Sequence, residues 1–268
     1  MPSRRQNLRM ACLLVAGMSL CLTAGTPSIA QTDPADTIAK VKPSIVAVGT
    51  FQRTRNPQFA FSGTGFMVED GSIVVTNAHV LPATVNNEQL ETLAIALPSP
   101  TGGTAVELRK GVAVGIDRNH DLALVQIDGA RLPALQIRDS TGVREGDSYL
   151  FTGFPLGVML GLIPTTHRAM VSALTPIAIP TNRSSDLDAK TVRRLKTDPY
   201  PVLQLDGTAY PGNSGSPLYD QSTGEVVGII NMVYVKGTKE SAMSQPSGIS
   251  YAIPSGALLN LLRAAKQQ

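Results

Sequence analysis

Apolar residues in this chain come in short Val- and Ile-rich runs, punctuated by Gly, Pro, Asn and Asp, with little helical spacing. Runs of that kind predict strands. They fall near residues 44–50, 63–69, 72–76, 93–97, 105–117, 122–127, 149–152, 170–174, 202–205, 217–219, 226–233 and 248–253. About twelve strands, most joined by turn signals, predict an all-β fold of barrels or sandwiches, here two barrels in succession. Helical patterning is confined to the ends of that array. Asp33-Pro34-Ala35-Asp36 caps a short helix through Lys42, with Ile38 and Val41 on one face. Ser255 caps a second helix over 256–266, where Leu258, Leu259, Leu261 and Leu262 form the apolar face. Residues 183–197 are charged and aperiodic and read as a surface loop, and no internal repeat is found.

The N-terminus changes the picture of compartment. Arg4, Arg5 and Arg9 precede an apolar run that ends near Gly25, and Ser28-Ile29-Ala30 follows as a small-x-small cleavage signal. This pattern predicts a signal peptide over residues 1–30, removed to leave Gln31 first, and no membrane anchor thereafter. The expected location is exported, periplasmic or secreted. Both cysteines, Cys12 and Cys21, lie in the removed segment, so residues 31–268 are held by apolar burial rather than disulfides. The three arginines leave with it, which brings Lys plus Arg down from 23 to 20 against 20 acids. A balanced charge predicts no nucleic-acid surface. The sequence has no Cys/His cluster for a metal, and Gly63-x-Gly65 lacks the partner glycine of a dinucleotide loop, so no metal and no cofactor are expected.

The candidate chemistry centres on Tyr210-Pro211-Gly212-Asn213-Ser214-Gly215-Ser216-Pro217. Glycines around a serine permit dihedrals that a Cβ forbids, so two backbone N–H groups can converge beside a hydroxyl. A nucleophile next to such donors is what acyl transfer requires. The same residues also make ordinary turns. The chain has three histidines: His79 in Thr76-Asn77-Ala78-His79-Val80, His120 beside Asp121, and His167 in Thr165-Thr166-His167-Arg168. Asp121 opens the strand Leu122-Ala123-Leu124-Val125, and a carboxylate at a buried strand edge needs a partner such as an imidazole N–H.

Chain order narrows the serine chemistry. No histidine follows Ser214, which excludes the order Ser…Asp…His of α/β-hydrolases. The order Asp…His…Ser of subtilisin is formally open but belongs to a fold of alternating helices and parallel strands. His79…Asp121…Ser214 matches the chymotrypsin order.

Taken with these residues, the sequence resembles trypsin-like serine proteases and is most similar to their HtrA/Deg-type branch. The segments that carry the resemblance are Ser62-Gly63-Thr64-Gly65-Phe66, Thr76-Asn77-Ala78-His79-Val80, Asp121-Leu122-Ala123-Leu124, Gly153-Phe154-Pro155-Leu156-Gly157, Val171-Ser172-Ala173-Leu174, Gly212-Asn213-Ser214-Gly215 and Gly248-Ile249-Ser250-Tyr251-Ala252-Ile253-Pro254. The resemblance implies a chymotrypsin-like fold of two six-stranded antiparallel β-barrels with a C-terminal helix. The lobes are expected at about 31–145 and 146–268, with the site in the cleft between them. It implies Ser214 as nucleophile, His79 as general base, Asp121 as its orienting carboxylate, and the N–H groups of Gly212 and Ser214 as the oxyanion hole. His120 is the rival base, but its neighbour Asp121 faces the site, so His120 is expected to face away.

Three departures from the family bear on function. Asn213 stands where pancreatic-type enzymes have the aspartate that grips a new N-terminus, as it does in the HtrA branch. Ser216 stands where glycine is usual, a source of strain if the position needs positive φ. Gln268 follows the closing helix directly, so no peptide-binding PDZ domain is expected. Thr208, six residues before Ser214, is uncharged and occupies the base of the expected substrate pocket, with Pro211, Ile230, Asn231 and Met232 as walls. An apolar residue before the scissile bond is therefore expected, in polypeptide substrates with unfolded or exposed segments. The resemblance allows a homo-oligomer, and Phe51, Phe59 and Phe61 are read as loop residues rather than as an assembly surface. A catalytically inactive protease fold that binds peptides, and a structural β-protein, are the competing readings.

Overall fold

The computed structural model describes residues 33–82, 90–97, 106–157, 161–176, 200–231 and 248–267. The proposed signal peptide, the 183–197 segment and Met232 lie outside the described residues.

Twelve strands close into two antiparallel barrels. The first holds β1 (Ile45–Phe51), β2 (Phe59–Val68), β3 (Ile73–Asn77), β4 (Thr92–Leu97), β5 (Glu107–Asp117) and β6 (Leu122–Ile127), in the order β1-β2-β3-β6-β5-β4. The second holds β7 (Ser148–Gly153), β8 (Thr165–Pro176), β9 (Pro201–Asp206), β10 (Pro217–Asp220), β11 (Val226–Asn231) and β12 (Ile249–Pro254), in the order β10-β11-β12-β9-β8-β7. Closure leaves no sheet edge unpaired. This is the chymotrypsin-like architecture expected from the sequence.

Burial explains why the strands read as continuous apolar runs. Val46 and Val48 point into the first barrel with Met67, Val74, Ile95 and Val125, while Ile45 and Ala47 point out of it. The outward residues are not solvated. They pack with Phe66, Leu122, Leu150, Phe154, Tyr219 and Ile229, a core that draws on both barrels. A third cluster, with Tyr149, Phe151, Val171, Leu205 and Ala252, fills the second barrel. Strands covered on both faces lose the polar alternation of a one-sided sheet.

Two helices tie the ends down. In α1 (Pro34–Val41), Asp33 Oδ1 accepts the Ala35 N–H at 2.9 Å as N-cap, and Pro34 sits in the first turn, where its missing N–H costs nothing. Thr37 of this helix donates to the Ser222 carbonyl of the second barrel at 3.4 Å. The C-terminal helix α2 (Ser255–Ala265) buries Leu258 and Leu262, and just past it Lys266 pairs with Glu69 of the first barrel at 2.6 Å. Ser255 is not the cap expected of it. Pro254 holds that position, and the Ser255 hydroxyl donates to the Arg138 carbonyl at 2.6 Å instead. Among the described residues no helix is long and apolar enough to cross a membrane.

The aromatic residues read as loop are strand residues. Phe51 ends β1, and Phe59 and Phe61 open β2. Polar Thr54, Arg55 and Asn56 between them masked that continuity. Phe61 stands edge-on to Phe154 with ring centroids 6.2 Å apart.

Candidate active site

Asp121 is held from every side. It occupies the left-handed region at φ 53°, where Asp is among the few tolerated non-glycine residues. Its carbonyl accepts the Ala78 N–H and the Asn77 side-chain amide, each at 3.0 Å. Its Oδ1 accepts the His79 backbone N–H at 2.9 Å, and its Oδ2 lies 2.6 Å from His79 Nδ1. The Asn231 side-chain amide reaches across from the second barrel and donates to the same Oδ2 at 2.8 Å. An ionised carboxylate only accepts, so the short contact at Oδ2 is a hydrogen bond when His79 carries its proton on Nδ1.

His120 makes a separate pair. Its Nδ1 lies 2.6 Å from Asp117 Oδ2, and its ring packs on Tyr200 at 4.5 Å. The hydrogen bond to His120 holds Asp117 below the usual carboxylate range, in spite of the opposing effect of partial burial, which is the larger single influence. His120 thus has its own carboxylate, and Asp121 belongs to His79.

The Ser214 segment is two successive tight turns. The Asn213 N–H donates to the Tyr210 carbonyl at 2.9 Å with Gly212 at φ +103°, and the Ser216 N–H donates to the Asn213 carbonyl at 3.0 Å with Gly215 at φ +88°. Glycine at positive φ in the third position is the type II signature. No side chain fits at Gly212, because a Cβ there would stand 2.2 Å from the Phe154 carbonyl oxygen and 3.0 Å from the Phe61 ring. Both turns are anchored to the first barrel. Thr64 N–H donates to the Ser214 carbonyl at 2.8 Å, and the Thr64 hydroxyl donates to the Gly212 carbonyl at 2.7 Å. A Cβ at Gly63 would meet both the Val80 side chain at 2.7 Å and the Ser214 carbonyl at 3.0 Å, so the serine turn packs beside the His79 turn. Among the described residues, the N–H groups of Asn213, Gly215 and Ser216 have backbone acceptors, and those of Gly212 and Ser214 have none.

Ser216 carries none of the strain its position suggested, since it is absent from the residues with positive φ. Its hydroxyl is buried without a partner and fills the space left by Gly153, where a Cβ would stand 2.0 Å from Ser216 Oγ. Both polar side-chain atoms of Asn213 are likewise buried and unpartnered. A neutral amide suits that position, because an unpaired carboxylate there would cost far more.

The residues expected to form the substrate pocket divide. Thr208 and Pro211 are partly buried on the segment leading to Ser214, and the Pro211 carbonyl accepts the Leu156 N–H at 2.7 Å. The side chain of Ile230 is fully enclosed in the second barrel, and its backbone is bonded to the serine turn: its N–H donates to the Ser216 carbonyl and its carbonyl accepts the Gly215 N–H, each at 2.9 Å. Asn231 is also fully buried and spends its amide on Asp121, a role that the sequence did not signal.

Two barrels with a bonded histidine–aspartate pair and a serine on paired tight turns define a chymotrypsin-like peptidase architecture. The sequence model of the trypsin-like peptidase domain matches residues 63–229, more than half of the chain, and the chain belongs to that family. It is similar to "Serine protease HTR4" of Bos taurus, 29% identical over 243 residues that make up 85% of this chain and 40% of that protein. It is also similar to "Putative serine protease HhoB" of Synechocystis, 29% identical over 199 residues, 74% of this chain and 39% of that one. The chain thus spans about two fifths of the length of these relatives. Among solved structures, the HtrA-type protease AlgW, determined with a tripeptide, shares the fold with a TM-score of 0.58 at 22% identity, covering 87% of this chain and 63% of its own.

Proposed function

We propose that this protein is an exported serine endopeptidase of HtrA type that cleaves unfolded or exposed polypeptide segments through an acyl-enzyme. The observation that carries this reading is the Asp121 carboxylate, bonded at once to the His79 ring, the His79 backbone and Asn231. In the proposed sequence, His79 Nε2 takes the Ser214 proton as Oγ attacks the scissile carbonyl, and Asp121 stabilises the imidazolium that results. The N–H groups of Gly212 and Ser214, without acceptors among the described residues, receive the oxyanion, a contribution of about 10²–10³ in rate per donor. His79 then protonates the leaving amine, and water releases the acyl group by the same steps in reverse. Thr208 gives the pocket an uncharged base, which favours an apolar residue over lysine or arginine before the scissile bond. The N-terminal pattern Arg4-Arg5…Ser28-Ile29-Ala30 supports export to the periplasm or medium, with residues 31–268 as the mature domain.

An organophosphonate probe tests the nucleophile. Labelling located to Ser214 by peptide mass spectrometry, and absent from His79→Ala, is expected. A folded protein that ignores the probe would instead be a protease fold that binds peptides without cleaving them.

A further inference from the structure

His167 is the one histidine outside the two carboxylate pairs, and its ring packs against aromatic neighbours. In β8, Ala169 and Val171 are buried inside the second barrel, so strand alternation turns His167 toward the same interior. Its ring stacks on Phe151 of β7, the residue opposite in register, with centroids 4.9 Å apart and planes 17° from parallel. The Tyr210 ring lies 6.2 Å away, tilted by 44°. Tyr210 begins the turn that ends at Asn213, and Ala209 beside it belongs to the same cluster as Phe151 and Ala169. His167 therefore lies beside the segment that runs from Thr208 to Ser214.

Its Nε2 is buried and has no hydrogen-bond partner. Burial also pushes the imidazole below its usual pKa range, with no charged group contributing, which favours the neutral ring. An unpartnered buried nitrogen costs stability unless something supplies the missing bond. A leucine or phenylalanine would fill the same space beside Phe151 at no such cost.

We propose that His167 is the polar inner end of the pocket for the residue before the scissile bond, and that it selects a side chain with an apolar stem and a neutral hydrogen-bonding tip. Glutamine is the natural match. Its carboxamide both donates and accepts, so it satisfies Nε2 in either tautomer of the ring. Methionine has the same length and an apolar stem but leaves Nε2 unpaired. This inference rests on the protease reading and assigns the specificity of the same site. Sites built to bond a polar group discriminate strongly against analogues that lack it, because the buried partner is otherwise orphaned.

The test uses pairs of peptides identical except for glutamine or methionine before the cleaved bond, with active sites counted by organophosphonate labelling. The wild type is expected to show kcat/KM for glutamine at least equal to that for methionine. In His167→Leu the glutamine-to-methionine ratio is expected to fall about tenfold, the worth of one neutral hydrogen bond in a desolvated site. The methionine rate should be kept, and His167→Asn should restore part of the ratio. A wild type that labels fully but prefers methionine by tenfold or more overturns the assignment, and so does a ratio unchanged in both variants. Should His167→Leu fail to fold, the wild-type ratio and His167→Asn decide the matter. A folded wild type that does not label overturns the protease reading and this inference with it.

Discussion

Gly212→Ala is the substitution that most directly probes the serine turn. The residue has φ +103°, beyond the left-handed region that non-glycine residues tolerate. Holding an alanine there costs on the order of 1–3 kcal/mol before any contact is counted. The added methyl would also stand 2.2 Å from the Phe154 carbonyl oxygen. That carbonyl cannot retreat easily. It accepts the Gly157 N–H at 3.1 Å, while the Phe154 N–H donates to the Thr64 hydroxyl at 3.1 Å. The strain is relieved by rotating the Pro211–Gly212 peptide, which turns the Gly212 N–H away from the site. The expected loss is that of one oxyanion donor, about 10²–10³ in kcat, with little change in KM. Peptide hydrolysis under saturating substrate measures it, and circular dichroism checks the fold. A folded Gly212→Ala protein within about threefold of wild-type kcat would refute the assignment of this N–H to the oxyanion.

Asn231→Leu removes the cross-cleft donor to Asp121. A hydrogen bond to a charged group is worth about 1.5–3 kcal/mol, so kcat/KM and the organophosphonate labelling rate should fall about 10–100-fold, and unchanged labelling would sink the positioning role. Gly153→Ala places a methyl onto Ser216 Oγ, 2.0 Å away, and should lower Tm by several degrees, with Ser216→Gly restoring part of the loss. Additive effects in that double-mutant cycle would mean that the two residues do not share the space. His167 binds its proton less readily in the folded protein than in the unfolded chain. The unfolded state therefore gains protons first as pH falls below about 6.5, and stability drops from there down to the folded-state pKa. Denaturant titrations between pH 7 and 5 should show that decline in the wild type and a shallower one in His167→Leu, whereas identical slopes would contradict the buried neutral ring.

Much of the fold was legible because the barrels are built from short Val- and Ile-rich runs that have no helical alternative. The ends of elements were less so. β8 begins at Thr165, five residues before the expected start, because Thr165-Thr166-His167-Arg168 is polar in sequence although His167 points inward. β2 was cut short in the same way by the loop composition before Phe59. The pairing of His79 with Asp121 was readable from residue type and order along the chain. What the sequence did not show was which atoms each residue spends where. Asn231 read as a pocket wall because alternation says nothing about a partner on the other barrel. Ser216 read as strained because the resemblance suggested a glycine, whereas the missing volume is supplied by Gly153, 63 residues earlier in the chain.

The central claim is tested most directly by hydrolysis of casein with purified residues 31–268, beside Ser214→Ala. The account predicts steady cleavage by the wild type and none by the folded variant. Equal cleavage by both, or no cleavage by a folded wild type, would contradict it.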